Sequence, residues 1–353
     1  LWPVSDTQKS TALAILMFLI HIFRMSVFFL VAGLLAHMLF HRLGLAAFWR
    51  NRAARILAPL VLAWPVCFIA IGAVVLWALA RSNGGQLPNP LPSGLKESGL
   101  NFLHLWFLYL LLWLYALVIA LRNVWQAVDT RGVLAAGADR TLRALLASRA
   151  GVLMLAAPVA VALALIPDWN IWLGVPTPGY TLLPPAVPLF IYAYVFGLGW
   201  LLDRQRSLLD KLAQHWRVNF ALGLVAVLVC LQAGSAGMQA IGARQSLLAA
   251  AYGLALMSWA LAFVGAGMRY LSQPNATLRY LADASYWMYI AHLPLLLALQ
   301  TAFMLLNWHW AIKYLLINVL CAALLLLSYR YAVRPTWVGL LLNGRRQPRG
   351  TGA

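Results

Sequence analysis

Acidic side chains are scarce in this chain. It has 8 Asp and Glu against 26 Lys and Arg in 353 residues, and charged residues make up only 10% of it. A soluble globular domain carries roughly a quarter charged residues, so composition argues against a soluble fold. Cysteine is rare as well. Cys67, Cys230 and Cys321 each fall inside an apolar block, where they read as small buried residues and imply neither a disulfide nor a metal site. The start of the chain shows no secretory signal-peptide pattern. No internal repeat, low-complexity tract or separate soluble domain interrupts it.

What abounds is apolar: 63% of the residues are hydrophobic and mean hydropathy is +0.81. They lie in long blocks rather than amphipathic stripes, and blocks of about 20 read as membrane-crossing helices. The expectation is an all-α polytopic transmembrane bundle with nine spans, near 12–40, 56–80, 102–121, 151–166, 185–202, 218–236, 247–268, 281–305 and 310–329. The first is longer than one crossing needs and the fourth is short.

The loops carry the basic charge on one side only. The residues Arg42, Arg50, Arg52, Arg55; Arg122, Arg131, Arg140, Arg143, Arg149; Arg204, Arg206, Lys211, Arg217; Arg269, Arg279; and Arg330, Arg334, Arg345, Arg346, Arg349 account for 20 of the 26 basic residues. Lys9, Arg81, Lys96, Arg244 and Lys313 fall on the other side. The formal net charge of +18 is therefore read as the positive-inside rule rather than nucleic-acid binding, with the N-terminus of the chain periplasmic and its C-terminus cytoplasmic. The outer stretch 168–188 has no basic residue but is rich in Trp and Pro. It is expected either to stack on sugar rings or to form an interfacial aromatic belt.

Three polar clusters interrupt the blocks. In "IHIFRMSVFF", His21 and Arg24 share one helix face. Arg24 sits about 27 Å along the helix from Arg42, too far to snorkel to that side, and an arginine at a helix centre costs about 2.5–3.5 kcal/mol on translocon scales. The acidic residues Asp6, Glu97, Asp129, Asp139, Asp168, Asp203, Asp210 and Asp283 offer no clear mid-membrane partner. Arg24 is then either a packing residue on backbone carbonyls or the cation of an anion-binding cavity. In "SYWMYIAHLP", Ser285, Tyr289 and His292 form one stripe beside Pro294, a residue that frees backbone carbonyls for neighbours to satisfy. In "HLWFLY", His104 and Trp106 are an interfacial anchor or an acceptor-holding pair. These parts suit proton transfer beside an anion, which serves acyl transfer to a hydroxyl and also proton-coupled transport.

The runs "FRMSVFFLVAGLL", "FWRNRAARILAP", "HLWFLYLLL" and "ASYWMYIAHLPL", in this order and over nearly the whole chain, resemble the acyltransferase 3 family of membrane acyltransferases, and its glucan-modifying branch most. The resemblance implies a single integral membrane acyltransferase domain over 1–353 in the bacterial inner membrane. It implies no permanently bound cofactor, an acyl-CoA donor from the cytoplasm, with succinyl among the candidate acyl groups, and a periplasmic glucan or related polysaccharide as acceptor. Catalytic roles are then expected for His21, Arg24 and His292, and substrate binding for Arg52, Arg55, His104, Trp106, Ser285 and Tyr289, with no metal. Arg52 and Arg55 lie where the family's basic motif faces the donor's phosphates, although ordinary positive-inside charge gives the same pattern. The family's leading helix, which supplies an arginine and the histidine usually taken as base, has no counterpart before Leu1, so a tenth span is expected upstream. The rival expectation is a transporter or flippase for an anionic or carbohydrate substrate, which often shows inverted repeats.

Overall fold

The computed structural model describes residues 8–90, 101–148, 150–178, 181–234 and 242–344. Asp6, Lys96, Glu97, Arg149, Arg345, Arg346 and Arg349 lie outside these, as do residues 179–180 of the outer stretch. Among the described residues there are helices and no β-strand. They are α1 (Thr11–Leu43), α2 (Leu45–Arg52), α3 (Ala58–Ser82), α4 (Trp106–Val128), α5 (Val133–Ala147), α6 (Gly151–Ala164), α7 (Ala186–Arg204), α8 (Ser207–Gly234), α9 (Ala243–Tyr270), α10 (Ala276–Phe303), α11 (Trp310–Ser328) and α12 (Trp337–Asn343). α2 runs into α3 through a π-turn at Ala53–Leu57, and a 3₁₀ turn at Leu103–Leu105 leads into α4.

Each of the nine apolar segments coincides with a helix. Seven are long and apolar enough by themselves to cross a membrane, and an eighth counts if α5 and α6, bent by 110°, form one broken span. α6 is about 21 Å long, short of a hydrocarbon core of about 30 Å. α10, at 28 residues, has the length but not the apolarity, because Asp283, Ser285, His292 and Gln300 sit along it. α5 was not anticipated: a stretch read as a basic loop is an amphipathic helix. Asp129, past the end of α4, caps its approach by accepting a hydrogen bond from Ala135 N at 2.7 Å.

α9 is the hub, packed against α8, α6 and α1, with a run of buried residues from Leu248 to Gly265. α1 crosses α7 at a glycine contact from both sides. A Cβ built on Gly33 would fall 1.9 Å from the Phe196 carbonyl oxygen, and one on Gly199 would fall 1.9 Å from that of Leu30. Backbones approach this closely in membranes because, without water, packing rather than the hydrophobic effect holds helices together.

The acidic residues that pair do so at one end of the bundle. His37 Nδ1 is 2.8 Å from Asp203 Oδ2, Arg206 Nε donates to Asp203 Oδ1 at 3.3 Å, and Arg204 Nη2 donates to Asp139 Oδ2 at 3.0 Å. The three cysteines are buried and free, in keeping with the packing role expected of them. The outer stretch folds inward instead of presenting its rings. Trp169 is buried and donates from Nε1 to the Gly174 carbonyl at 2.8 Å, while Trp172 packs on Phe18 with ring centroids 4.9 Å apart. Trp169 thus serves as packing rather than in either of the two roles expected of it, while Trp172 stays half-buried.

Candidate functional site

The site begins with a proline. In a helix each carbonyl accepts from the N–H four residues on, and Pro294 has none, so the carbonyl of Ile290 is left without its helical partner. His104 occupies it: its Nε2 lies 2.9 Å from Ile290 O. Cys67 on α3 reaches the same oxygen from Sγ at 3.5 Å. A carbonyl only accepts, so Nε2 of His104 carries the hydrogen and Nδ1 keeps the lone pair, a tautomer assigned from the hydrogen-bond network. That Nδ1 is buried and has no partner among the described residues.

The turn that presents His104 is held from several sides. Leu103 has φ +52°, a left-handed conformation uncommon for a non-glycine residue and worth about 1–3 kcal/mol of strain, which is typical of functional sites. Asn101 Oδ1 accepts from Leu103 N at 2.8 Å, and Trp64 Nε1 donates to Asn101 O at 2.9 Å. Tyr289 Oη donates to His104 O at 2.7 Å.

His292 stands edge-on to His104, with ring centroids 5.1 Å apart. Its Nδ1 lies 2.7 Å from the Tyr289 carbonyl, so Nδ1 donates and Nε2 is the available nitrogen. Two imidazoles thus sit together, each with one nitrogen tied to backbone and the other bare. Trp106 faces inward, against Tyr192 at 5.8 Å and Phe29 at 6.3 Å, so it is no interfacial anchor. Arg24 is exposed, makes no hydrogen bond or ion pair among the described residues, and is close enough to His21, Tyr192 and His292 to act on each electrostatically.

The structure therefore brings Arg24, His104, Trp106, Tyr289 and His292 together and adds Tyr192. His21, one helical turn from Arg24 on α1, faces the segment around Gly174, where a Cβ on that glycine would lie 3.4 Å from His21 Cδ2 and 2.0 Å from Tyr252 Oη. Ser285 is exposed and donates to its own helix at Ala282 O, 2.7 Å away.

The basic pair divides. Pro59 leaves the Arg55 carbonyl without a helical partner, as Pro294 does for Ile290, and Tyr286 Oη on α10 donates to it at 2.7 Å. The Arg55 side chain caps α12, with Nη1 donating to Leu340 O at 3.2 Å and Leu341 O at 3.1 Å. Arg52 turns inward instead. Its guanidinium lies 5.6 Å from the Phe48 ring centroid and 5.4 Å from that of Tyr115, it donates to Tyr115 Oη at 3.3 Å, and its Nε is buried without a partner. Removing the Arg55 cap, as in Arg55→Met, is expected to raise local opening of α12 about tenfold or more, since a hydrogen bond to a charged group contributes about 1.5–3 kcal/mol. Hydrogen exchange of the α12 amides reads this directly, and unchanged exchange would remove the cap.

Two imidazoles, each with one nitrogen bonded to backbone, thus lie near an arginine within a helical bundle, an arrangement able to exchange protons. The chain belongs to the acyltransferase 3 family, whose model, described as an acyltransferase domain, matches residues 1–327. Among curated proteins it is similar to glucans biosynthesis protein C of Shigella dysenteriae serotype 1 and of Escherichia coli K12. It is 24% identical to each over 301 residues, covering 84% of this chain and 75% of theirs. No solved structure matches it. The resemblance read from the motifs is thus confirmed at the level of the family.

Proposed function

We propose that this protein is an inner-membrane O-acyltransferase that moves an acyl group, succinyl in the first instance, from acyl-CoA to hydroxyls of a periplasmic glucan. The observation that carries the reading is the bare, buried Nδ1 of His104, with His292 at its side and Arg24 uncompensated nearby. Membership of an acyltransferase family supports the reaction type, and the relatives named for glucan biosynthesis support the acceptor.

In this mechanism His104 Nδ1 takes the proton of the acceptor hydroxyl as its oxygen attacks the thioester carbonyl. Arg24 stabilises the oxyanion of the tetrahedral intermediate. Collapse breaks the carbon–sulfur bond, and the departing thiolate recovers the proton from the imidazolium. His292 Nε2 and Tyr192 orient the acceptor, and Trp106 shapes the wall against which it rests. Arg52 holds donor phosphate: it meets α4 at Tyr115, about 16 Å along the helix axis from His104 at 1.5 Å per residue. The topology that fits this chemistry has α1, α3, α4, α6 to α11 as nine crossings, with the Arg52 end cytoplasmic.

The test is transfer of labelled succinyl-CoA and acetyl-CoA to periplasmic glucan by membranes carrying the chain, and by a form extended with its natural upstream codons. Label on the glucan in either form supports the reading. Movement of intact substrate across the membrane with no labelled product in either form would replace it with the transporter reading.

A further inference from the structure

A second feature borders Ile290 and Cys67, residues that belong to the contact made by His104. α3, α10 and α12 enclose an open groove of about 350 Å³, within the usual range of about 300–1,000 Å³ for ligand sites. One face of α3, including Leu62, Ala63 and Val66, forms one wall; Trp287 and Pro294 of α10 form the second; Trp337 opens the α12 end. The lining is apolar, and Leu62, Val66 and Trp337 are exposed, so the groove is open from the side along which a bilayer would run.

Its two ends differ. At the α12 end stand an exposed tryptophan, the kind of residue that settles at headgroup level, and Arg55, which forms no ion pair with a carboxylate among the described residues. Toward the other end the lining is Ala70, Pro294 and Leu295. A pantetheine arm is a poor occupant, because its amides would find no hydrogen-bonding partners along such walls, at about 1–3 kcal/mol for each group left unsatisfied. A hydrocarbon tail incurs no such cost.

We infer that this groove is a binding site for an anionic phospholipid, with one acyl tail between α3 and α10 and the phosphate at the Arg55 end beside α12. The lipid packs against Ile290 and Cys67, the residues behind His104, and joins α12 to the rest of the bundle. The inference is independent of the acyl-transfer reading, and binding rather than activity tests it.

The experiment is native mass spectrometry of the purified full chain after exchange into mixed micelles holding equal phosphatidylglycerol and phosphatidylcholine with the same tails. The wild type is expected to retain phosphatidylglycerol about tenfold over phosphatidylcholine. Ala63→Trp, which fills the groove, is expected to lose retained lipid of both kinds. Val66→Trp fills it from an exposed position and supplies the same readout if Ala63→Trp does not fold, and Leu315→Trp on exposed α11 surface is the control. Arg55→Gln is expected to keep the tail but lose the headgroup preference. Equal retention of the two lipids by the wild type, or full retention by the groove-filling variants, overturns the assignment. So does displacement of phosphatidylglycerol by equimolar palmitoyl-CoA, which would give the groove to the donor.

Discussion

His104→Ala is expected to lower turnover by about two to four orders of magnitude while the protein stays folded in detergent. This range is what a positioned general base contributes, about 10²–10⁴, and the loss falls on kcat rather than KM because the imidazole acts on the reacting proton. The companion variant is Pro294→Ala. It restores an N–H to the helix, which then competes for the Ile290 carbonyl and releases His104 Nε2. Turnover is expected to fall about tenfold with KM unchanged. Nitrogen-15 NMR of labelled histidine should show the His104 hydrogen no longer confined to Nε2. Retention of more than half the turnover by a folded His104→Ala protein would remove that residue from the chemistry.

The second large effect concerns assembly rather than chemistry. Gly33→Leu and Gly199→Leu are each expected to abolish recovery of a monodisperse, detergent-stable protein. The atoms that a Cβ meets at these positions are backbone carbonyls, 1.9 Å away, so no rotamer change relieves the clash and α1 must move off α7. Ordinary overpacking costs about 1–3 kcal/mol; a contact between two backbones exceeds that and approaches the total stability of a typical domain, about 5–15 kcal/mol. Gly197→Ala is the internal control. It lies on the same helix two positions from Gly199, and a Cβ there meets nothing within 4 Å. Thermal midpoints and size-exclusion profiles distinguish the two glycines, and equal behaviour of Gly197→Ala and Gly199→Ala would show that the crossing is not what makes Gly199 necessary.

Much of the helical layout was legible because a membrane helix must be apolar along its whole length, and each apolar segment coincides with a helix. The misses lie where helices leave that regime. α8 begins at Ser207 rather than near 218 because its first turns, with Asp210, Lys211 and Arg217, are polar yet continue the same hydrogen-bond ladder. The arginines of α5 mask its amphipathic pattern, so the sequence there resembles a basic loop. At the site, the periodicity of α10 pointed to Tyr289 and His292, and the cost of a cation within an apolar membrane segment pointed to Arg24. The stripe that included Ser285 was correct as spacing, but spacing does not say which neighbour a face meets, and Ser285 is exposed. His104 carried only a weak signal: what gives it a bare nitrogen is a carbonyl freed by a proline far along the chain, and only the fold brings them together. Tyr192 and Cys67 sit in apolar runs with nothing local to mark them.

The two proline-freed carbonyls have a joint consequence. α10 gives a hydrogen bond at one point, from Tyr286 Oη to Arg55 O, and receives one a turn later, from His104 to Ile290 O. Because a turn of helix is stiff, with a pitch of 5.4 Å, the basic turn ahead of α3 and the imidazole ahead of α4 are fixed to one rigid strut. Anything that repositions the Arg55 turn shifts the strut, and with it the atom that orients His104. The Arg55 turn and the imidazole of His104 are thereby kept in mechanical register by two main-chain oxygens that accept from side chains, a linkage that changing the side chains of Arg55 or Ile290 leaves in place and that loss of either proline opens to competition from a helical N–H.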